Sequence, residues 1–201
     1  MKILVLSDTH IPKLEPSDIS NVRDASELTI LPEILREKMK EADIIVHAGD
    51  FYSDEIFDLF EKTGKLKAVY GNNDGEYIRN KIPDKLVFEQ NKIRFGVVHE
   101  AGRSLNENTA RWYTLREMDV DILIFGHIHT PVIEAYQEKY LICPGSPIKP
   151  RMSEPSVVEI ELEEKKPGTV QDIRVIPVGA AACNYLKFRE KLEEEKEEKN
   201  Q

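Results

Sequence analysis

The sequence predicts an α+β fold with a mixed two-sheet core. Through the first two-thirds of the 201 residues, short apolar runs alternate with helix-like segments, as in parallel strands joined by crossovers. In the last third, strands follow one another through short turns, as in antiparallel hairpins. Five of the apolar runs end in Asp, Asn or His. Ligands collect beyond the carboxyl ends of buried strands, so five such ends imply one shared site.

The elements follow in order. Lys2-Ile3-Leu4-Val5-Leu6-Ser7 runs into Asp8-Thr9-His10. Residues 11 to 32 carry Pro12, Pro16 and Pro32 and read as irregular, either a specificity lid or a surface hairpin or mobile loop. Pro32 opens a helix through about Glu41, with Ile34, Leu35, Met39 and Ala42 inward. Asp43 to Ala48 runs into Gly49-Asp50. Ser53 caps a second helix with Asp54 and Glu55 in its first turn and Ile56, Phe57 and Phe60 inward. Leu66 to Tyr70 runs into Gly71-Asn72-Asn73-Asp74, and Ile93 to Val98 into His99-Glu100. Leu105 to Asp119 is a third helix with Trp112, Leu115 and Met118 as core contacts; the tyrosines also read as core. Asp121 to Phe125 runs into Gly126-His127-Ile128-His129. Val132 to Tyr136 pairs with Lys139 to Cys143. Val158, Ile160 and Leu162 alternate with Glu159, Glu161 and Glu163, a strand with one wet face, which returns through Lys165-Lys166-Pro167-Gly168 as Val170 to Ile176. Gly179 to Leu192 is expected to be a helix that closes a single domain, 1–192, and 193–201 to be a charged tail.

Composition narrows the function classes. The hydrophobic fraction of 40% suits a soluble globule, and no apolar stretch reaches the roughly 18 residues of a membrane span. The chain opens directly on a strand, so no signal peptide is expected. Cys143 and Cys183 form no spaced motif, which points to a reducing, cytoplasmic setting. A net charge of -9 argues against broad nucleic-acid binding. It leaves room for a small phosphate ester, because bound cations reverse the local sign. A homo-oligomer is compatible with the composition.

The donors are carboxylate, imidazole and amide, with no thiolate. That chemistry favours Mn, Fe, Zn, Co or Ni in a site other than a structural zinc site. Asp8 and His10, His127 and His129, and Asn72 and Asp74 are each two apart, a spacing that puts both side chains on one face of a strand. Seven or eight donors exceed the four to six places around one ion. Two ions about 3.5–4 Å apart that share a carboxylate fit better, and such a pair lowers the pKa of a shared water for attack on phosphorus. His47 precedes Asp50 by three, faces differently and reads as structural. Asp74 is expected to orient the asparagine turn, and Glu100 to stand at the rim or just outside the ligands. Arg79, Arg103 and Arg151 are candidates for phosphate contact or plain surface residues.

In combination, Asp8-x-His10, Gly49-Asp50, Gly71-Asn72-x-Asp74, His99 and Gly126-His127-x-His129 resemble the calcineurin-like metallophosphoesterase superfamily, most closely its small single-domain bacterial and archaeal phosphodiesterases. The resemblance covers about residues 1 to 178. It implies a four-layer α/β/β/α sandwich with helices outside two mixed sheets. It implies two divalent ions, Mn first, with Asp8, His10, Asp50 and His129 on one and Asp50, Asn72, His99 and His127 on the other. Asp50, Asn72 and His99 would carry catalysis, and the stretch from Cys143 to Arg151 would lie near the site. The chain departs from the family pattern at Asn73, where many members place a proton-donating histidine, at Glu100, where glycine is common, and at Cys143, where asparagine is usual. Residues 11 to 32 are also longer than the family connection.

Two rivals stand beside a phosphodiesterase. The small subunit of the retromer complex resembles this chain and serves mainly to bind partners, so a scaffold is one rival. A phosphomonoesterase is the other. A complete set of seven donors favours an enzyme over the scaffold.

Overall fold

Ten strands build two five-stranded sheets in the computed structural model, which describes residues 1–179. The first sheet has the order β10-β9-β1-β2-β3, with β1 Lys2–Leu6, β2 Ile44–His47, β3 Leu66–Ala68, β9 Ser156–Leu162 and β10 Val170–Pro177. The second has the order β4-β5-β6-β8-β7, with β4 Lys85–Gln90, β5 Ile93–Val98, β6 Ile122–Ile124, β7 Pro131–Tyr136 and β8 Lys139–Pro144. Both sheets are mixed. β1 runs parallel to β2 and antiparallel to β9, while β6 runs parallel to β5 and β8.

Alternation along the strands explains the layers. Ile3, Val5, Ile44, Val46, Val158 and Ile160 face Phe95, Val97, Ile122, Ile124 and Ile142 across the interior between the sheets. The opposite faces point outward. Leu4, Leu6 and Ile45 pack under α2 (Glu33–Glu41) and α3 (Asp54–Glu61) through Leu35, Met39, Ile56, Phe57 and Phe60. Leu123, Phe125, Leu141 and Cys143 pack under α5 (Asn108–Glu117) through Leu115, with Trp112 and Met118 beside it. This is the four-layer sandwich that the resemblance implies. The predicted closing helix beyond Gly179, the tail 193–201 and Cys183 lie outside the described residues.

Residues 11 to 32 are neither a bare loop nor a hairpin. They form a short helix α1 (Pro16–Ile19) and a 3-10 turn at Ala25–Glu27, and Ile11, Ala25, Leu28 and Leu31 are buried against the first sheet's outer layer. The prolines limit helix length, and the spaced apolar residues anchor what remains. Further corrections concern faces. Ile34 is exposed although it shares α2 with buried Leu35 and Met39. Leu105 is exposed because α5 starts at Asn108, and Tyr52, Tyr77, Tyr113 and Tyr136 are all exposed. Trp112 is half-buried.

The expected wet face of β9 is also corrected at Glu159, which is buried with 3% of its side chain accessible. β9 is an inner strand, so Arg174 on β10 stands opposite Glu159 and pairs with it, and Lys38 on α2 reaches it at 3.2 Å. Burial pushes the Glu159 carboxyl up, but these two cations outweigh it and hold the group below the usual carboxylate range. A depressed folded-state pKa stabilises above the unfolded value and is lost as pH falls through the folded one. Glu159→Gln is therefore expected to lower stability by about 1 kcal/mol at pH 7, the discount reflecting the exposed Arg174. Urea melts of both forms should converge as pH drops from about 5 toward 3; a gap that persists would show that the charge is not the source.

A candidate metal centre at five strand ends

The chain beyond β1, β2, β3, β5 and β6 converges on one place, and it gets there through strained backbone rather than strand pleat. Asp8, His10, Asp50, His127 and His129 all have positive φ, between 45° and 71°. Each such non-glycine residue costs of order 1–3 kcal/mol and persists only where its surroundings over-determine it. Asp8 and His10, and likewise His127 and His129, converge for that reason, whereas Asn72 and Asp74 have no positive φ and diverge, Asn72 to the imidazoles and Asp74 to backbone N–H groups. All three pairs lie past the strand ends, so the expectation that they share a strand face is corrected.

Small residues let the loops close in. A Cβ on Gly71 would stand 2.1 Å from Asp50 Oδ1, and one on Gly126 would stand 2.0 Å from Ser7 Oγ and 2.9 Å from Asp8 Oδ2. Only glycine allows these two carboxylates their positions.

The donors meet at short range. Asp8 Oδ1 lies 3.1 Å from His129 Nε2, 3.7 Å from His10 Nε2 and 4.0 Å from His99 Nε2. Asp50 Oδ2 lies 3.3 Å from His10 Nε2 and 3.4 Å from His99 Nε2. Asn72 Oδ1 lies 3.1 Å from His99 Nε2 and 3.0 Å from His127 Nδ1. All seven predicted donors are thereby brought together. Two groups have spacing that suits an ion: Asp8, His10 and His129, and Asp8, Asp50 and His99. Asp8 belongs to both groups, and Asp50 Oδ2 is nearly equidistant from an imidazole of each.

Orientation comes from the imidazoles' far sides. His99 Nδ1–H donates to Ala48 O at 2.7 Å, and His129 Nδ1–H donates to Lys149 O at 2.6 Å. Those bonds leave each Nε2 lone pair facing inward, the arrangement typical of metal-ligating histidine. Asp8 Oδ1 is fully buried and has no hydrogen-bond partner, although His129 Nε2 is 3.1 Å away. The unpartnered oxygen and the imidazole nitrogen beside it face one point. A cation satisfies both, so the donor set fits divalent metal.

Charge agrees. Burial pushes the Asp8 carboxyl up, but the imidazoles of His10, His129 and His99 outweigh it and hold the group well below the usual range. Burial likewise pushes Asp50 up, while His99 and Asn73 bring it down to about 2. Both are anions at neutral pH. His127 is lowered by burial and by the neighbouring His99, which favours its neutral, ligating form.

The surrounding residues sort clearly. His47 Nδ1 accepts the Gly49 N–H at 3.1 Å, its Nε2 meets Thr9 Oγ1 at 3.2 Å, and its ring stacks on Phe51 at 3.6 Å. Burial lowers it to about 3, so it is a neutral internal strut, as its sequence position predicted. Asp74 accepts backbone N–H groups of Asp50, Gly71 and Tyr52 at 2.9, 2.7 and 2.9 Å, which ties the two loops together. Asn73 donates its backbone N–H to Asp50 Oδ1 at 2.8 Å and its side-chain amide to Asp50 Oδ2 at 2.7 Å. Arg79 donates to the carbonyls of Asp74, Gly71 and Asn72 at 2.8, 3.0 and 3.1 Å. It is a clasp for the asparagine loop, not an unoccupied phosphate ligand. Glu100 and Arg103 pair with each other at 2.6 Å on the exposed rim, and exposed Arg151 contributes its backbone N–H to His129 O at 3.2 Å. Ser146, inside the stretch flagged by resemblance, donates to Asp8 O at 2.7 Å. Tyr52 and Lys149, which the sequence does not single out, also stand beside the cluster.

The chain is similar to known proteins. Residues 1–165 match the calcineurin-like phosphoesterase superfamily domain. A protein of Methanothermobacter thermautotrophicus named "Probable metallophosphoesterase" is 33% identical over 189 residues, 94% of this chain and 99% of its own. A protein of Methanocaldococcus jannaschii named a phosphodiesterase is 28% identical over 178 residues, 83% of this chain and 96% of its own. The structure of zinc-complexed Vps29 from Entamoeba histolytica superposes with a TM-score of 0.62 at 19% identity, over 89% of this chain and 100% of that one; it is a likeness of fold alone. The chain belongs to the calcineurin-like phosphoesterase superfamily.

Proposed function

We propose that the chain is a cytoplasmic phosphodiesterase that works with two divalent transition-metal ions. The observation that carries the reading is Asp50 Oδ2, 3.3 Å from His10 Nε2 and 3.4 Å from His99 Nε2, so that one carboxylate faces both halves of the donor set. Asp8, His10, Asp50 and His129 would hold one ion, and Asp50, Asn72, His99 and His127 the other. Manganese is the expected metal, with Ni, Fe, Co and Zn as alternatives, since the set holds no thiolate. When bound, such ions supply Lewis acidity toward phosphoryl oxygens and bring the pKa of a water into the neutral range. The relative named a phosphodiesterase supports a diester substrate.

The chain's own residues do the positioning. Ala48 O and Lys149 O fix the His99 and His129 rings, and Asn73 holds the Asp50 carboxylate by both oxygens. Arg79 holds the Asn72 loop by its carbonyls, leaving the exposed Asn72 side chain at the mouth, where its amide can meet a phosphoryl oxygen. Beside Asn72 and His99 opens a groove of about 330 Å³, lined further by Tyr70, Lys85 and Glu100 and wide enough for part of an ester.

The test is a panel of phosphate mono- and diesters given to chelated protein and then to protein reloaded with Mn. Hydrolysis should vanish on chelation, return on reloading and favour diesters. A clear preference for monoesters would replace this reading with a phosphomonoesterase, and no turnover by fully loaded protein would favour the scaffold.

A further inference from the structure

We infer that Tyr52 and Lys149 form the wall that receives the organic arm of the ester, and that they favour a flat aromatic arm over an aliphatic one of similar size. The inference rests on the phosphoester reading above. Five of the non-glycine residues with positive φ carry converging donors; Tyr52, two residues past Asp50, stands among them with φ 82° and carries none. A bulky side chain in that region is a genuine outlier, and strain of this kind gathers at ligand clamps. Packing does not compensate it, because Tyr52 is 53% exposed. What holds Tyr52 is backbone: its N–H donates to Asp74 Oδ1 at 2.9 Å, the same carboxylate that ties down Asp50.

Lys149 is anchored the same way. Its carbonyl accepts from His129 Nδ1 at 2.6 Å and its N–H donates to Ser146 Oγ at 2.8 Å, while its side chain is exposed. Two loops from different sheets thus place an aromatic ring and an ammonium together: Lys149 Nζ is 5.9 Å from the Tyr52 ring centroid, and the Tyr52 ring is 6.2 Å from the His10 ring. An ammonium beside the donor cluster suits an anionic phosphoryl oxygen. A ring with only two side-chain torsions suits a flat arm at low entropic cost. Ring-on-ring contact adds to simple burial, by an amount equivalent to about three- to tenfold in affinity.

The experiment titrates phenylphosphonate and cyclohexylphosphonate into the full chain loaded with Mn, by calorimetry, so no turnover is required. The wild type should bind the phenyl compound about three- to tenfold tighter. Tyr52→Gly should bring that ratio toward one while Tm holds or rises, because glycine adopts φ 82° freely. Tyr52→Phe should keep the ratio, and Lys149→Ala should weaken both ligands alike. A wild-type ratio near one, no binding of either phosphonate, or an unchanged ratio in Tyr52→Gly would overturn the inference. A Tm that falls in Tyr52→Gly together with a lost ratio in Tyr52→Phe would assign Tyr52 a structural role and overturn it too. Failure of the phosphodiesterase reading shows separately, as absent diester hydrolysis by protein that still discriminates between the two phosphonates.

Discussion

Asp50→Ala should lower phosphodiester hydrolysis by about 10³-fold or more while the fold survives. A single preorganised electrostatic contact already contributes about 10²–10³, and Asp50 faces both halves of the donor set. Stability should hold because the carboxylate mainly serves the cluster. Its side-chain partners are imidazoles and Asn73, and the backbone N–H of residue 50 keeps its bond to Asp74. His99→Ala should behave similarly, removing one donor that meets both Asp50 and Asn72. The measurement is kcat/KM on an activated diester alongside Tm. Wild-type activity in both variants, with contaminants excluded, would contradict the ligand assignment.

The second large effect concerns the departing oxygen. Asn73 stands where many family members place a histidine, and an amide cannot act as a general acid. Such a donor contributes about 10²–10⁴-fold. In this chain both polar groups of Asn73 point to Asp50, at 2.8 and 2.7 Å, so the residue is committed to holding that carboxylate. A poor leaving group must then depart as alkoxide without a proton from this position. Rates should fall steeply as leaving-group pKa rises, with aryl diesters hydrolysed far faster than alkyl ones. Asn73→His should flatten that slope, raising alkyl-ester turnover within the same 10²–10⁴ range, with metal content checked in both forms. A shallow slope in the wild type would mean that another residue, Asp74 or Glu100, already supplies the proton. The geometry speaks against Asp74, whose carboxylate accepts three backbone N–H groups.

Much of the site was legible because buried strands are continuous apolar runs that stop abruptly. Leu6, His47, Ala68, Val98 and Ile124 end the five strands close to where those runs give way to Asp, Asn and His. The paired spacings do not reveal the left-handed backbone at Asp8, His10, His127 and His129: Asp and His enter that region more often than most residues, but too rarely for the type alone to mark it. Besides the short pieces within residues 11 to 32, the sequence leaves a helix and a strand unmarked. The helix α4 (Glu76–Lys81) is only 6 residues long, too short for a periodic pattern. The strand β4 is an edge strand with alternate residues exposed, joined to β5 by Asn91-Lys92 with both φ positive, a tight-turn geometry achieved without glycine. Tyr52 escaped for a different reason: nothing in an isolated tyrosine marks the backbone that carries it.

The central claim is that these side chains are built to hold two ions. Its most direct test is elemental analysis of the full chain after chelation, Mn loading and removal of free metal. The account predicts a stoichiometry approaching two per chain, falling in Asp50→Ala. A value that stays near zero under saturating metal would contradict it.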